Sequence, residues 1–257
     1  MNTVVIQSYR TENVAPWIER CIDSVHAWAV GQGFDYRFVG DEIFEMVPDW
    51  YRENAGQRAP VITDLARLKL LREELDGGAA RAVWLDADVL VFDSAGLSVP
   101  AGMGYAFGRE FWVQPAAGKK LKIYRNVHNA IAVFEAGNAF LDFYIHACER
   151  IISGANGSVP NQVVGTKFLT ALHNIMGFSL IDQVGMFSPL VNRDIAAGGG
   201  PALDRLEAVC RQPLAAANLC SSLAGGEADG VELSDDLMAN VCETLLTRRT
   251  LRGAAHG

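Results

Sequence analysis

No stretch of the chain approaches the ~20 consecutive apolar residues that a membrane-spanning helix requires. C-x-x-C pairs are missing, and the five cysteines (Cys21, Cys148, Cys210, Cys220, Cys242) are scattered and odd in number. That pattern argues against a disulfide framework and fits buried free thiols in a reducing compartment. The five histidines fall at no metal-binding spacing. Positive charge is in short supply. The 22 Lys and Arg against 30 Asp and Glu leave a net charge of −8, which argues against a nucleic-acid backbone as the main partner. A single nucleotide stays open, because a metal and one or two arginines can meet its charge locally. Long polar tracts and internal repeats are absent as well, and only 20% of residues are charged, so an ordered globule is expected. The opening Met1-Asn2-Thr3-Val4-Val5-Ile6 has no basic segment, and its apolar run is short for a signal peptide. The expectation is a soluble, cytoplasmic protein.

What is present is apolar residue in quantity. At 50% hydrophobic over 257 residues, the chain can fill one large α/β core. Thr3 to Ile6 is a β-branched run that ends in polar Gln7-Ser8-Tyr9-Arg10. Asn13 is placed to cap a helix with Pro16 in its first turn; Trp17, Ile18, Cys21, Ile22, Val25 and Trp28 recur at helical spacing until Gly31 and Gly33. Tyr36 to Val39 predicts a second, parallel strand. Asp41 to Gln57 is expected as loop or short helix. A helix opening at or just before Thr63 carries Leu65, Leu68, Leu71 and Leu75 and stops at Gly77-Gly78. Further strands are expected at Gly104 to Gly108, Ala130 to Phe134, within Phe178 to Pro189, and at Leu214 to Ser222. Helices are expected from Asn138 to about Ile152, from Pro160 to about Asn174, and from Ser234 to about Leu251. Ala196 to Pro201 and Ala224 to Gly230 have the composition of loops.

One interruption in this apolar pattern is chemical. Between Ala82-Val83-Trp84-Leu85 and Val89-Leu90-Val91-Phe92 lies Asp86-Ala87-Asp88. In extended chain, residues two apart point to one side. Two like charges so close in a buried strand are costly. Protonation, exposure at a strand end, or a divalent cation would relieve the cost. Hard cations take carboxylate oxygens and share them with phosphates. A tight turn with both carboxylates solvated is the competing account. On the preceding helix, Asp64 and Arg67 share a face at i,i+3 spacing. They form either a surface ion pair or groups facing a nucleotide.

The ordered set Thr63-Asp64-Leu65-Ala66-Arg67-Leu68-Lys69-Leu70-Leu71, Gly77-Gly78 and Trp84-Leu85-Asp86-Ala87-Asp88 resembles the DXD region of GT-A glycosyltransferases. It is most similar to the group holding the sugar-binding DXD region, the capsular polysaccharide synthesis proteins and the bacterial galactosyltransferases. The resemblance implies a single domain over residues 1–257, a GT-A type, Rossmann-like mixed sheet flanked by helices. Within it, 1–100 would be the nucleotide-binding half, 101–230 the acceptor and sugar half, and 231–257 a C-terminal helix and tail. It implies Mn²⁺ or Mg²⁺ held by Asp86 and Asp88. It also implies a nucleotide-diphosphate sugar donor, UDP-linked by preference, and a saccharide, lipid-linked or other hydroxyl acceptor. Asn129, in Asn129-Ala-Ile-Ala-Val-Phe134, would open a strand facing the donor sugar. Gly165-Thr166 would lie at a helix start beside the acceptor, and Phe187-Ser188-Pro189 would follow. Ser8 and Tyr9, with Asp64 and Arg67, would border the nucleotide, Arg67 on phosphate or base and Tyr9 stacked on the base.

One departure stands out. Where relatives supply a late His as third metal ligand, this chain reads Asn218-Leu219-Cys220-Ser221-Ser222. Asn218 offers a neutral carbonyl oxygen, so the ion binds more weakly, or mainly with the nucleotide, or the chain is a non-catalytic relative. Transfer of a hexose with retention is the expected chemistry, and stereochemistry follows from the resemblance alone. A nucleotidyltransferase is the other rival, but Ser8-Tyr9-Arg10-Thr11 lacks the glycines of its usual phosphate loop. Arg248, Arg249 and Arg252 near the last leucines could contact an anionic membrane weakly, or simply complement a helix C-terminus.

Overall fold

The computed structural model describes residues 2–251. Its first strand, β1 (Thr3–Ser8), buries Val4, Val5 and Ile6 together. Helix α1 (Pro16–Gly31) follows, then β2 (Asp35–Val39), parallel to β1. Asn13 does not cap α1. The N-cap is Ala15, and Asn13 takes a left-handed backbone (φ 53°) two residues earlier. Pro16 takes the first helical position, where its missing N–H costs no intrahelical bond and its fixed φ suits the helix, and α1 starts without a side-chain cap.

A 3₁₀ turn (Asp41–Met46) and α2 (Asp49–Asn54) fill the segment expected as loop. Helix α3 (Ala59–Asp76) opens earlier than Thr63, because Pro60 occupies its first turn. Strand β3 (Arg81–Leu85) runs parallel to β1, and β4 (Val89–Val91) leaves in a different sheet. The largest correction concerns β5 (Tyr105–Ala116) and β6 (Lys120–Glu135). Each extends far beyond the short strands expected, and together they form one long antiparallel hairpin.

Beyond the hairpin, α4 (Ala139–Ser153) is capped by Asn138, whose side chain accepts from the Phe140 N–H at 2.8 Å. Helix α5 (Thr166–Met176) has its N-cap at Gly165 and does not start at Pro160. Then come β7 (Ser179–Ile181), β8 (Val184–Met186), α6 (Pro189–Ala196), α7 (Pro201–Glu207) and β9 (Ala216–Asn218). Pro189 and Pro201, read as turn and loop punctuation, instead begin α6 and α7. A small ribbon of β10 (Glu227–Ala228) and β11 (Val231–Glu232) precedes α8 (Asp235–Arg248), which Ser234 caps as expected. Helix α8 stops at Arg248, with Arg249 left-handed, short of the expected Leu251; Arg252 lies outside the described residues. Among the described residues no helix is long and apolar enough to cross a membrane.

The main sheet is mixed, in the order β2-β1-β3-β6-β5-β7, and a smaller sheet runs β4-β9-β8. Alternate side chains enter opposite layers. Val4, Ile6, Ala82 and Trp84 pack with α3 and α4, whereas Val5, Val83 and Leu85 pack with Val25 and Trp28 of α1. A sheet covered on both faces explains why these strands read as continuous apolar runs. It also brings the C-terminal ends of parallel β1 and β3 to one open edge.

Candidate active site

Asp86 and Asp88 lie at that edge. Of the two accounts, they sit in the tight turn joining β3 to β4 and not in extended chain, although Asp88 is buried and not solvated. The turn still makes the carboxylates converge. Asn218 Nδ2, at the end of β9, lies 2.6 Å from Asp88 Oδ1 and 3.5 Å from Asp86 Oδ2. The pairing of β4 with β9, which sets Val89 opposite Asn218, dictates this meeting. The second Asp88 oxygen accepts from the Ser221 N–H at 2.7 Å. Asp86 is pinned by its backbone: its N–H donates to Ala130 O (2.9 Å) and its carbonyl accepts from the buried Gln7 side chain (3.1 Å). Its Oδ1 accepts from Trp84 Nε1 at 2.6 Å.

Asp64 and Arg67 are buried, so the surface ion pair is not what the structure contains. The Arg67 guanidinium lies 3.2 Å from Asp64 and 3.1 Å from Asp86 and donates to Asn129 O at 2.9 Å. Its Nε faces Thr63 O at 3.4 Å, and the group lies over the Trp84 ring. Each nitrogen is therefore committed within the protein. Arg67 bridges α3 to the Asp turn. Asn129 does not open a strand, as expected, but sits within β6, where residues 129–131 have no opposite on β5. Its amide donates to Asp64 Oδ1 at 2.8 Å.

His128 enforces that irregularity. It is fully buried, one ring nitrogen 3.0 Å from Val184 O and the other accepting from the Ala130 N–H. Burial lowers its pKa to about 4, so the ring is neutral and Nε2 carries the proton.

The electrostatics of the cluster are unbalanced. Asp64 and Asp86 share one guanidinium, and Asp88 adds a third carboxylate beside Asp86. Burial pushes Asp64 up to about 6 against the pull of Arg67. Burial, then the Asp86 charge, pushes Asp88 up to about 6. A hard divalent cation suits this surplus of carboxylate oxygen and negative charge. Among the described residues no group of three or more His, Cys, Asp or Glu side chains is placed to hold an ion. Asn218 does not present an oxygen to the Asp86–Asp88 pair. A backbone N–H, that of Cys220, donates to its Oδ1 at 2.7 Å, which forces Nδ2 toward the carboxylates.

All of this opens into one cleft of about 850 Å³. Ser8, Tyr9, Asp64, Arg67, Asp86, Asp88, Asn129, Gly165, Thr166 and Asn218 line it, whereas Phe187, Ser188 and Pro189 do not. Gly165 belongs there for steric reasons, since a Cβ would sit 2.7 Å from Asp64 Oδ2. Sequence reasoning missed Glu110, Trp112, Gln114, Tyr124 and Asn126, which line the cleft from the β5–β6 hairpin. The β-prone apolar run Phe111-Trp112-Val113 between Glu110 and Gln114 was the available signal, hidden by taking Gly108 as a strand end.

No family model matches the chain, and no curated protein matches it. Among solved structures, it is similar to a glycosyltransferase involved in glycosylation of the major capsid of PBCV-1, at 9% identity and TM-score 0.47, over 94% of this chain and 98% of that one. It is similar to the galactosyltransferase LgtC, solved with donor and acceptor sugar analogues, at 14% identity and TM-score 0.47, over 94% and 95%. It is similar also to mouse xyloside xylosyltransferase 1, at 9% identity and TM-score 0.44, over 86% and 98%.

Proposed function

We propose that the chain is a glycosyltransferase that moves a hexose from a nucleotide-diphosphate sugar, UDP-linked by preference, to a hydroxyl acceptor. The observation that carries this reading is the convergence of Asp86 and Asp88, backed by Arg67, at the sheet edge inside an 850 Å³ cleft. The resemblance of the Asp64–Arg67 helix and the Asp turn to the DXD region gives it its chemistry. Residues 1–100 then form the nucleotide side and 101–230 the sugar and acceptor side.

Asp86 and Asp88 are the residues that would hold Mn²⁺ or Mg²⁺. When bound, the ion supplies Lewis-acid neutralisation of the departing diphosphate. Arg67 keeps Asp86 in place through their ion pair. Asn129 and Asp64 lock Arg67 in turn, so the cluster is organised before substrate arrives. Tyr9 offers a ring to the base, and Ser8 offers polar atoms to its edge. The cleft walls align the acceptor hydroxyl with the anomeric carbon, which lowers the entropic part of the barrier. With retention, the departing phosphate takes the acceptor proton.

Asn218 favours a second reading, a nucleotide-sugar-binding relative with little turnover. Its amide donates to Asp88, and presenting Oδ1 to an ion would break its bond to the Cys220 N–H. Calorimetry with UDP, with and without Mn²⁺, and a nucleotide-sugar hydrolysis assay separate the two. Metal-dependent binding with hydrolysis supports the transferase. Tight binding with no hydrolysis or transfer for any donor supports the binding protein, and no metal-dependent nucleotide binding rejects both.

A further inference from the structure

Sheet order sets the Asp86–Asp88 turn between two flanks. The end of β1, with Ser8 and Tyr9, lies to one side, and β6 and β5 lie to the other. A ligand whose diphosphate meets the Asp pair and whose base meets Tyr9 therefore sends its sugar toward the hairpin. Past Gly108 and His128 the hairpin has left its pairing with β3 and β7 and continues as a two-stranded ribbon. Its two faces differ. Phe111 and Val113, with Leu121 and Ile123, enter the core beside α6 and α7. The other face lines the cleft.

That second face has an unusual composition for the open side of a ribbon. Register sets Trp112 opposite Tyr124 and Glu110 opposite Asn126. Two aromatic side chains thus stand at the mouth, with Tyr124 37% exposed and the Lys122 ammonium over one face of its ring, 4.3 Å from the centroid, and a carboxyl lies deep, with Glu110 only 5% exposed. Glu110 Oε1 accepts from Asn126 Nδ2 at 2.6 Å, and burial raises the carboxyl above the usual range. No role assigned above uses these side chains.

We propose that this wall is the acceptor subsite and that it takes a saccharide. One pyranose ring lays its C–H face on Trp112 and Tyr124, and hydroxyls on its edge bond to Glu110 and Asn126. A sugar ring has one apolar face and a polar rim, and the wall repeats that division. Aromatic faces carry the negative quadrupole that attracts C–H groups, while a carboxyl beside an amide supplies the acceptors and donors that hydroxyls need. From residue 110 to residue 114 the strand extends roughly 14 Å, longer than one ring. The wall therefore suits an oligosaccharide end, with its remainder running out past Gln114. The word acceptor rests on the transferase reading; saccharide binding to the wall does not.

The test titrates lactose, maltose and cellobiose, and methyl against octyl β-glucoside, into the full chain with and without UDP and Mn²⁺. Tryptophan fluorescence and saturation-transfer NMR report binding. At least one sugar should bind, with saturation strongest on one ring face. Trp112→Ala and Tyr124→Ala should each weaken it about fivefold or more, and Trp112→Phe less than about threefold, as stacking energies imply. Should Trp112→Ala fail to fold, the exposed Tyr124→Ala carries the same test. No sugar binding below about 20 mM, equal affinity in the alanine variants, or affinity that follows the octyl chain would each overturn the proposal. Hairpin-dependent sugar binding in a protein that hydrolyses no nucleotide sugar would keep this wall and reject the transferase. Hydrolysis without such binding would do the reverse.

Discussion

A methyl group at Gly108 would overlap the ring of His128, its cross-strand partner at the point where β6 departs from β5. The absent side chain leaves room for this neutral ring, which bonds Val184 O and the Ala130 N–H. Gly108→Ala should cost about 1–3 kcal/mol through overpacking. Combined with His128→Ala, the two losses should be clearly less than additive, because the second removes what the first strikes. Urea denaturation of the four proteins decides; strict additivity would mean that the ring does not fill this space.

Asp88→Asn should abolish Mn²⁺-dependent nucleotide binding in calorimetry while the melting temperature at pH 7.5 stays level or rises. The carboxyl that it removes is buried and held above its ordinary range, so its loss relieves the fold. An unfolded variant, or one that binds Mn²⁺ and UDP as the natural chain does, would contradict the role given to Asp88.

Arg67→Ala leaves two carboxylates without their cation in a buried setting. The expected cost is about 3–5 kcal/mol, with part recovered in Arg67→Ala/Asp64→Asn. A loss under about 1 kcal/mol in urea would show that the bridge from α3 to the Asp turn contributes little.

The pH dependence of Asp64 has a definite sign. Its folded pKa, about 6, lies above the ordinary 3.8. The folded protein therefore holds this proton more tightly, and the associated stability is complete below about pH 4 and lost as pH rises through about 6. The stability difference between the natural chain and Asp64→Asn should fall by up to about 3 kcal/mol between pH 4 and pH 7. Urea curves at pH 4, 5, 6 and 7 measure it, and a flat or rising difference would refute the assignment.

Asn218→Asp replaces a donor to Asp88 with a third carboxylate. In EDTA the melting temperature should drop, from repulsion and the lost hydrogen bond. Added Mn²⁺ should raise it by more than it raises that of the natural chain, by mass action on a tighter site. Equal metal shifts in the two proteins would place the ion elsewhere.

Much of this was legible without coordinates because it is local. The β-branched run after Thr3, the leucine spacing of α3, and the caps Asn138 and Ser234 each state their element through side-chain period or backbone hydrogen bonding. The Asp pair announced itself by its cost among apolar neighbours. Local signals also misled where a residue serves two ends. Gly108 read as a terminus, although it admits His128 inside a longer strand, and Pro189 and Pro201 read as breaks although they start helices.

The sequence by itself determined an α/β chain, parallel at its start, with two carboxylates forced to find a partner. Only the tertiary structure decided who the partners are. The orientation of Asn218 depends on a strand pairing 130 residues away from Asp88. The commitment of Arg67 depends on α3, β6 and the Asp turn closing on one point, and the Trp112–Tyr124 wall depends on hairpin register. Such contacts join residues far apart in the chain, and neither propensity nor periodicity, which act over a few residues, carries information about them.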